Sequence, residues 1–192
     1  MSYPKLHLLP RKEESLLRFH PWVFSGAIAS IDGSPRDGDL VAVLDSRGKA
    51  LGTGHYALGS IAIRMLSFDP QELIDQAFYQ GRLREALKLR ASMGLIRPEE
   101  EGNTSPNTTY RLVHGEGDGL PGLIIDIYAS TAVVQAHSMG MHEARQMIAE
   151  ALMTVYGTED KLTTPLEAVY YKSETTLPTR DMRQMAEDGF LY

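Results

Sequence analysis

The chain has 192 residues, 43% hydrophobic and 23% charged, enough for one ordinary domain or two small ones with a buried core, which excludes wholesale disorder. It contains no cysteine, so disulfides, thiolate zinc sites and thiol nucleophiles are excluded, and its formal net charge of -6 argues against wholesale binding to polyanions. No apolar run reaches the roughly 18 residues a membrane-spanning helix needs and no apolar segment follows the start, so a cytoplasmic protein is expected.

From residue 6 to 66 the sequence predicts short strands at 39–45, 50–55 and 61–66, punctuated by Asp-Gly and Arg-Gly turns, a small barrel in outline. One short helix is expected over 12–19, with Glu13 and Glu14 at its positive end and Pro21 stopping it. Asp69, Pro70 and Glu72 then occupy the N-cap, first and third positions of a longer helix, and a domain boundary falls there. Leu73, Ile74, Ala77, Phe78, Leu83, Ala86 and Leu87 recur at mostly helical spacing until Met93-Gly94. Residues 97–109 are breaker-rich and predict a mobile loop. Strands follow at 110–113, 123–128 and 132–137, then a helix with Ala144, Met147, Ile148, Ala151, Leu152 and Val155 as its apolar stripe, then a strand at 168–172. The second region therefore reads as an α+β sheet with helices on one face.

Three segments could carry chemistry. Arg11, Lys12, Arg18 and His20 lie beside the only tryptophan, Trp22, and beside Phe19 and Phe24; cations neutralise phosphates and rings stack on unpaired bases. On residue types alone, Trp22 and Phe24 could equally plug the barrel while the cations form a solvated face. The stretch from His114 to Gly122 concentrates four glycines, Glu116, Asp118 and an imidazole, which suits either a turn-rich loop or an acid-base site, yet no HExxH or GxSxG spacing accompanies it. The stretch from His137 to His142 reads as a strand end entering a helix cap rather than a metal site. No glycine-rich strand-to-helix turn with an acidic residue about twenty positions later is visible, so no nucleotide or S-adenosylmethionine fold is expected.

Two long stretches carry a resemblance: Ser15-Leu-Leu-Arg18-Phe-His20-Pro-Trp22-Val-Phe24-Ser25-Gly26-Ala-Ile28, and Tyr110-Arg111-Leu-Val-His114-Gly115-Glu116-Gly-Asp118-Gly119-Leu120-Pro121-Gly122-Leu-Ile-Ile-Asp126. They resemble the amino-terminal half of class I S-adenosylmethionine-dependent methyltransferases of the large-subunit ribosomal RNA cytosine-C5 type. The resemblance implies an α+β chain: a PUA-like pseudo-barrel over 1–69 that binds RNA, then a small α+β positioning domain of strand-strand-helix-strand-strand type over 70–192. It further implies that the Rossmann methyltransferase domain, with the family's cysteine nucleophile and cofactor loop, is absent, the chain being truncated before it. S-adenosylmethionine is then expected for the full-length family protein and no cofactor in this chain. Large-subunit ribosomal RNA is the expected partner, with homodimers occurring in the family.

The RNA-binding residues implied are Arg11, Lys12, Arg18, His20, Trp22, Phe24, Ser25 and Gly26. His114, Glu116, Asp118, Gly119 and Pro121 are implied as an interdomain or RNA-facing loop, with no catalytic residue and no metal ligand. Two rival readings are a free-standing PUA-type adapter for a protein partner, in keeping with the acidic total, and a small hydrolase using His114, Glu116 and Asp118. After Asp126 the family often continues Arg-Tyr-Gly, whereas this chain has Ile127-Tyr128-Ala129.

Overall fold

Apolar side chains at alternate positions, with glycines where strands must approach closely, build a six-stranded sheet from the first part of the chain. Its strands are β1 (Lys5–Leu8), β2 (Trp22–Phe24), β3 (Ile28–Asp32), β4 (Leu40–Leu44), β5 (Ala50–Tyr56) and β6 (Ile61–Ser67), in the order β2-β6-β5-β4-β1-β3. The end strands β2 and β3 are joined by the single 3-10 turn Ser25–Ala27, so the sheet must curl to bring its two edges together. No ladder joins β2 to β3, so the expected pseudo-barrel is a curled sheet with two free ends. Leu6, Leu8, Leu16, Val23, Val41, Val43, Leu51, Ile63 and Met65 fill its concave side. At Gly54 the β6 backbone comes so near that a Cβ would sit 2.4 Å from the Arg64 carbonyl oxygen, which is why β5 carries glycine there.

The computed structural model describes residues 3–96, 107–159, 163, 165–179, 183 and 186–192. They form two units, one of Met1–Ile74 with Ser138–Glu143, the other of Asp75–His137 with Ala144–Tyr192. The segment Ser138–Glu143, which includes the short helix α2 (Met139–Glu143), thus belongs to the first unit despite its distance in sequence.

The helix expected over 12–19 is instead two 3-10 turns, Lys12–Glu14 and Leu16–Arg18, closed by bonds such as Arg18 N–H to the Ser15 carbonyl at 3.1 Å. Eight residues are too few to offset helix nucleation, and Arg11 and Phe19 bound the segment in left-handed conformations, φ 67° and 61°. The longer helix, α1, runs Gln76–Ser92 and is capped by Asp75, whose carboxylate accepts from the Ala77 and Phe78 N–H groups. Asp69 makes the same kind of bond to Gln71 N–H, but in an isolated turn. Both aspartates carry a capping signal, and the one followed by an unbroken apolar face starts the helix.

In the second unit, β7 (Thr109–His114), β8 (Leu123–Tyr128), β9 (Thr131–Ala136), β10 (Ala168–Tyr171) and β11 (Gly189–Phe190) form one sheet in the order β11-β10-β9-β8-β7. Five strands replace the four of the expected strand-strand-helix-strand-strand pattern, because β7, β8 and β9 form a meander before the helices. β10 lies parallel to β9 and is reached through α3 (Arg145–Thr158). Leu123, Ile125 and Ile127 of β8 with Ala132 and Val134 of β9 share one face and are buried, as are Leu83 and Leu87 of α1 and Ile148, Leu152 and Val155 of α3. Of the loop expected over 97–109, residues 97–106 lie outside the described residues and Thr109 already belongs to β7. Among the described residues no helix is long and apolar enough to cross a membrane.

Candidate functional site

Strand alternation decides the role of the aromatic segment. Val23 is 3% exposed and enters the core, so its neighbours Trp22 and Phe24 face the opposite side of the sheet. Phe24 is 50% exposed and Trp22 partly buried, so neither plugs the barrel. The Trp22 backbone N–H lies 3.2 Å and the Trp22 carbonyl oxygen 3.3 Å from His20 Nδ1, so the imidazole is held against the strand through that nitrogen. The three rings form one cluster. Trp22 stands nearly perpendicular to His20 (centroids 5.9 Å) and to Phe24 (6.4 Å), while His20 and Phe24 are 6.4 Å apart and tilted by 39°. Phe19 is 72% exposed and touches Phe68 edge-on at 5.3 Å.

Arg11, Lys12 and Arg18 are exposed on the preceding turns, and Ser25 and Gly26 are exposed immediately after the rings. Gly26 has open space where a Cβ would lie, so packing does not require glycine there. One cation escaped the sequence reading: Arg64 of β6 pairs directly across from Trp22 and therefore shares its face of the sheet. The signal was present, since Arg64 is the one charged residue in a mostly apolar strand, next to core-facing Ile63.

The second candidate segment splits by burial. Asp118 turns inward, where its Oδ1 accepts from Arg90 Nη1 at 2.7 Å and its Oδ2 from Arg90 Nη2 and from the His114 backbone N–H, both at 2.6 Å. Arg90 Nε donates to the Arg111 carbonyl at 2.9 Å, and the Arg90 and Asp118 side chains are only 10% and 4% exposed. Pro121 is also buried, and Gly119 takes the left-handed conformation that ends the 3-10 turn Gly115–Asp118. Only His114 and Glu116 of the five loop residues are well exposed. With both carboxylate oxygens of Asp118 committed, His114, Glu116 and Asp118 are not assembled as acid, base and orienting group.

Around the loop, Arg111 forks onto Asp126 at 2.8 and 3.0 Å across β7 and β8. Burial, reinforced by the Arg111 charge and opposed by Glu116, lowers the pKa of His137. A cavity of about 510 Å³ lies nearby, with Leu89, Met93, Leu95, Tyr110, Arg111 and His114 among its lining residues.

A nucleotide-type cofactor would be held at a helix N-terminus following a strand. The N-terminus of α2 does not fit one. Met141 N–H is satisfied by Ser138 Oγ at 3.4 Å and His142 N–H by the Ser138 carbonyl at 3.0 Å, and a Cβ on Gly140 would lie 2.1 Å from His55 Cγ. The space is filled by the protein itself.

Comparison with known proteins adds three findings. Residues 6–68 match the PUA-like domain family. Ribosomal RNA large subunit methyltransferase I of Klebsiella pneumoniae is 36% identical over 186 residues, and that of Escherichia coli O157:H7 is 36% identical over 184, covering 96% and 95% of this chain. The chain spans 42% of the length of these relatives. Among solved structures, a protein of Streptococcus mutans named as a putative SAM-dependent methyltransferase superposes on the whole chain with a TM-score of 0.70 at 18% identity, over 43% of its own length. A second putative methyltransferase, solved in complex with SAH, covers 90% of this chain and 40% of its own with a TM-score of 0.66 at 19% identity.

These likenesses correct the expectation that the Rossmann methyltransferase domain is absent. The fold described here is shared with part of two such chains, and a stretch matching 43% and 40% of them gives no ground for a missing domain. Residues 6–68 thus match the PUA-like domain family, and almost the entire chain is similar to part of ribosomal RNA large subunit methyltransferase I.

Proposed function

We propose that the chain recognises large-subunit ribosomal RNA and positions it for S-adenosylmethionine-dependent methylation, at cytosine C5 if the sequence resemblance extends to the base. The observation that carries this reading is that, within the stretch matching the PUA-like domain, the exposed cations Arg11, Lys12 and Arg18 are followed directly by the exposed rings of Phe19, His20 and Phe24. Arg11, Lys12 and Arg18 meet phosphates as compact or forked cations, the exposed His20 ring contacts a phosphate, sugar or base, and Ser25-Gly26 leaves backbone bare beside them. His114 and Glu116 are the loop groups open to a partner, while Asp118 and Pro121 hold the loop in shape. With no cysteine in the chain, a thiol nucleophile is not among its own contributions, which are to bind and orient.

Filter binding of a large-subunit ribosomal RNA fragment across a salt titration tests the reading. Arg18→Glu is expected to weaken binding and to lower the slope of log K against log salt by about one, since each lost phosphate contact removes roughly one released counterion. Identical curves for the two proteins would remove this surface from RNA recognition. A second reading, an adapter for a protein partner, draws on the charge of residues 71–192, which hold 11 basic and 18 acidic side chains. It predicts no salt-steep RNA affinity in the same titration.

A further inference from the structure

We infer that the ring cluster His20, Trp22 and Phe24, with Arg64 beside it, is a stacking site for an unpaired nucleotide, and that the PUA-like domain therefore selects single-stranded over duplex RNA. The inference rests on the RNA reading above and goes beyond it by naming the nucleic-acid form and the group that meets its phosphate.

Four observations carry it. Val23 is locked into the core opposite Ile63, so Trp22, paired with Arg64, cannot turn inward without unpairing β2 from β6, while Phe24, beyond a register shift after Val23, is turned out to 50% exposure. Trp22 meets both neighbouring rings at close to a right angle, an arrangement in which edges abut faces, and half of Phe24 remains in water. Such a face is hydrophobic, rigid and indifferent to base identity, which is what stacking requires. Arg64 stands across the ladder from Trp22 on the same face, partly exposed, and its charge reaches Asp37 and His55. Of these, His55 is buried, and the Arg64 charge favours the ionised form of Asp37.

The chemistry favours a nucleotide with an open base face. In a duplex each base is covered above and below by its neighbours, and the A-form major groove is too deep and narrow for side chains to read, so exposed rings gain nothing there. An extruded or single-stranded base brings both a π face for Phe24 and an adjoining phosphate for Arg64, and the cations Arg18 and Lys12 on the preceding turns complement the next phosphates.

Trp22 is the only tryptophan, so its emission reports on this site alone. The full chain is titrated with an unstructured oligoribonucleotide of mixed sequence and, separately, with a closed RNA hairpin of matching composition, following both Trp22 emission and filter retention. The expected result is quenching by the single strand and little change with the hairpin. Phe24→Ala should weaken single-strand binding roughly tenfold and Phe24→Tyr, which keeps the ring, should restore it. Arg64→Gln should lower the salt slope by about one while the quench at saturation persists.

If both RNAs are retained on the filter with unchanged Trp22 emission and an inert Phe24→Ala, the stacking site is overturned and RNA binding stands. Quenching by the hairpin in preference to the single strand overturns the selectivity. If neither RNA is retained, the RNA reading itself fails, and the inference with it.

Discussion

Asp118 shows how a residue that looks catalytic in the sequence is assigned by its partners. A carboxylate four positions after a histidine, in a glycine-rich turn, invites an acid-base reading, but the fork of Arg90 and the His114 N–H engage both of its oxygens in a nearly dry site. That arrangement ties the 3-10 turn Gly115–Asp118 to helix α1 and turns the carboxylate away from solvent. Breaking a buried pair strands the remaining charge, so Asp118→Asn should lower the unfolding free energy by about 3–5 kcal/mol. Urea titration of wild type and variant measures it, and an unshifted midpoint would show that the pair is not structural. RNA affinity of the folded variant should change far less, because nothing in the ring and cation surface depends on Asp118.

At the scale of elements, periodicity was informative wherever one face of an element is buried. The expected strand 123–128 corresponds to β8, whose burial alternates along its length, whereas 50–55 and 61–66 correspond to β5 and β6, which are buried along most of their length and were marked by flanking turn residues rather than by alternation. β2 is only three residues long, too short for a period to show, and so the outward aim of Trp22 and Phe24 was not legible although their chemistry was. Arg64 was missed for the same reason: its neighbourhood with Trp22 is a cross-strand register, which composition does not encode. Least legible was the stretch from His137 to His142. It read correctly as a strand end entering a helix, yet its docking in the first unit depends on contacts some eighty residues away in sequence. Gly140 is the tightest point of that docking, because a Cβ there would overlap the His55 ring at 2.1 Å. Gly140→Ala is therefore expected to cost at least about 1–3 kcal/mol, the range for forcing extra atoms into a packed interior. Calorimetry would detect this as a lowered Tm, and an unchanged one would mean that α2 is not pinned at this position.

For the whole molecule, the consequence is that the first unit is not continuous in sequence, and one histidine reports on its integrity. His55 is 5% exposed beneath Gly140, and its Nδ1 has no hydrogen-bond partner among the described residues. Burial, reinforced by the Arg64 charge, pushes its pKa from 6.5 down to about 4. In the unfolded chain the ring regains its ordinary pKa and binds a proton more readily, so folding is favoured by the neutral ring. Stability from this group is complete above pH 6.5, falls as pH drops towards 4, and is flat below. Between about pH 7 and about pH 5 the loss from this one group should be about 2 kcal/mol. Carboxylates also titrate at the acid end of that window, so the measurement is a difference: the pH dependence of unfolding for wild type less that for His55→Asn, in which no ring can be protonated. The wild type should lose the larger share of its stability on acidification. Parallel curves would mean that the ring is reached by water and that the segment Ser138–Glu143 does not cover it in solution. A fragment of residues 1–74 supplies the complementary case, since it lacks the cover. If dispersed amide resonances show that the fragment retains its sheet, its His55 should titrate near 6.5 rather than near 4.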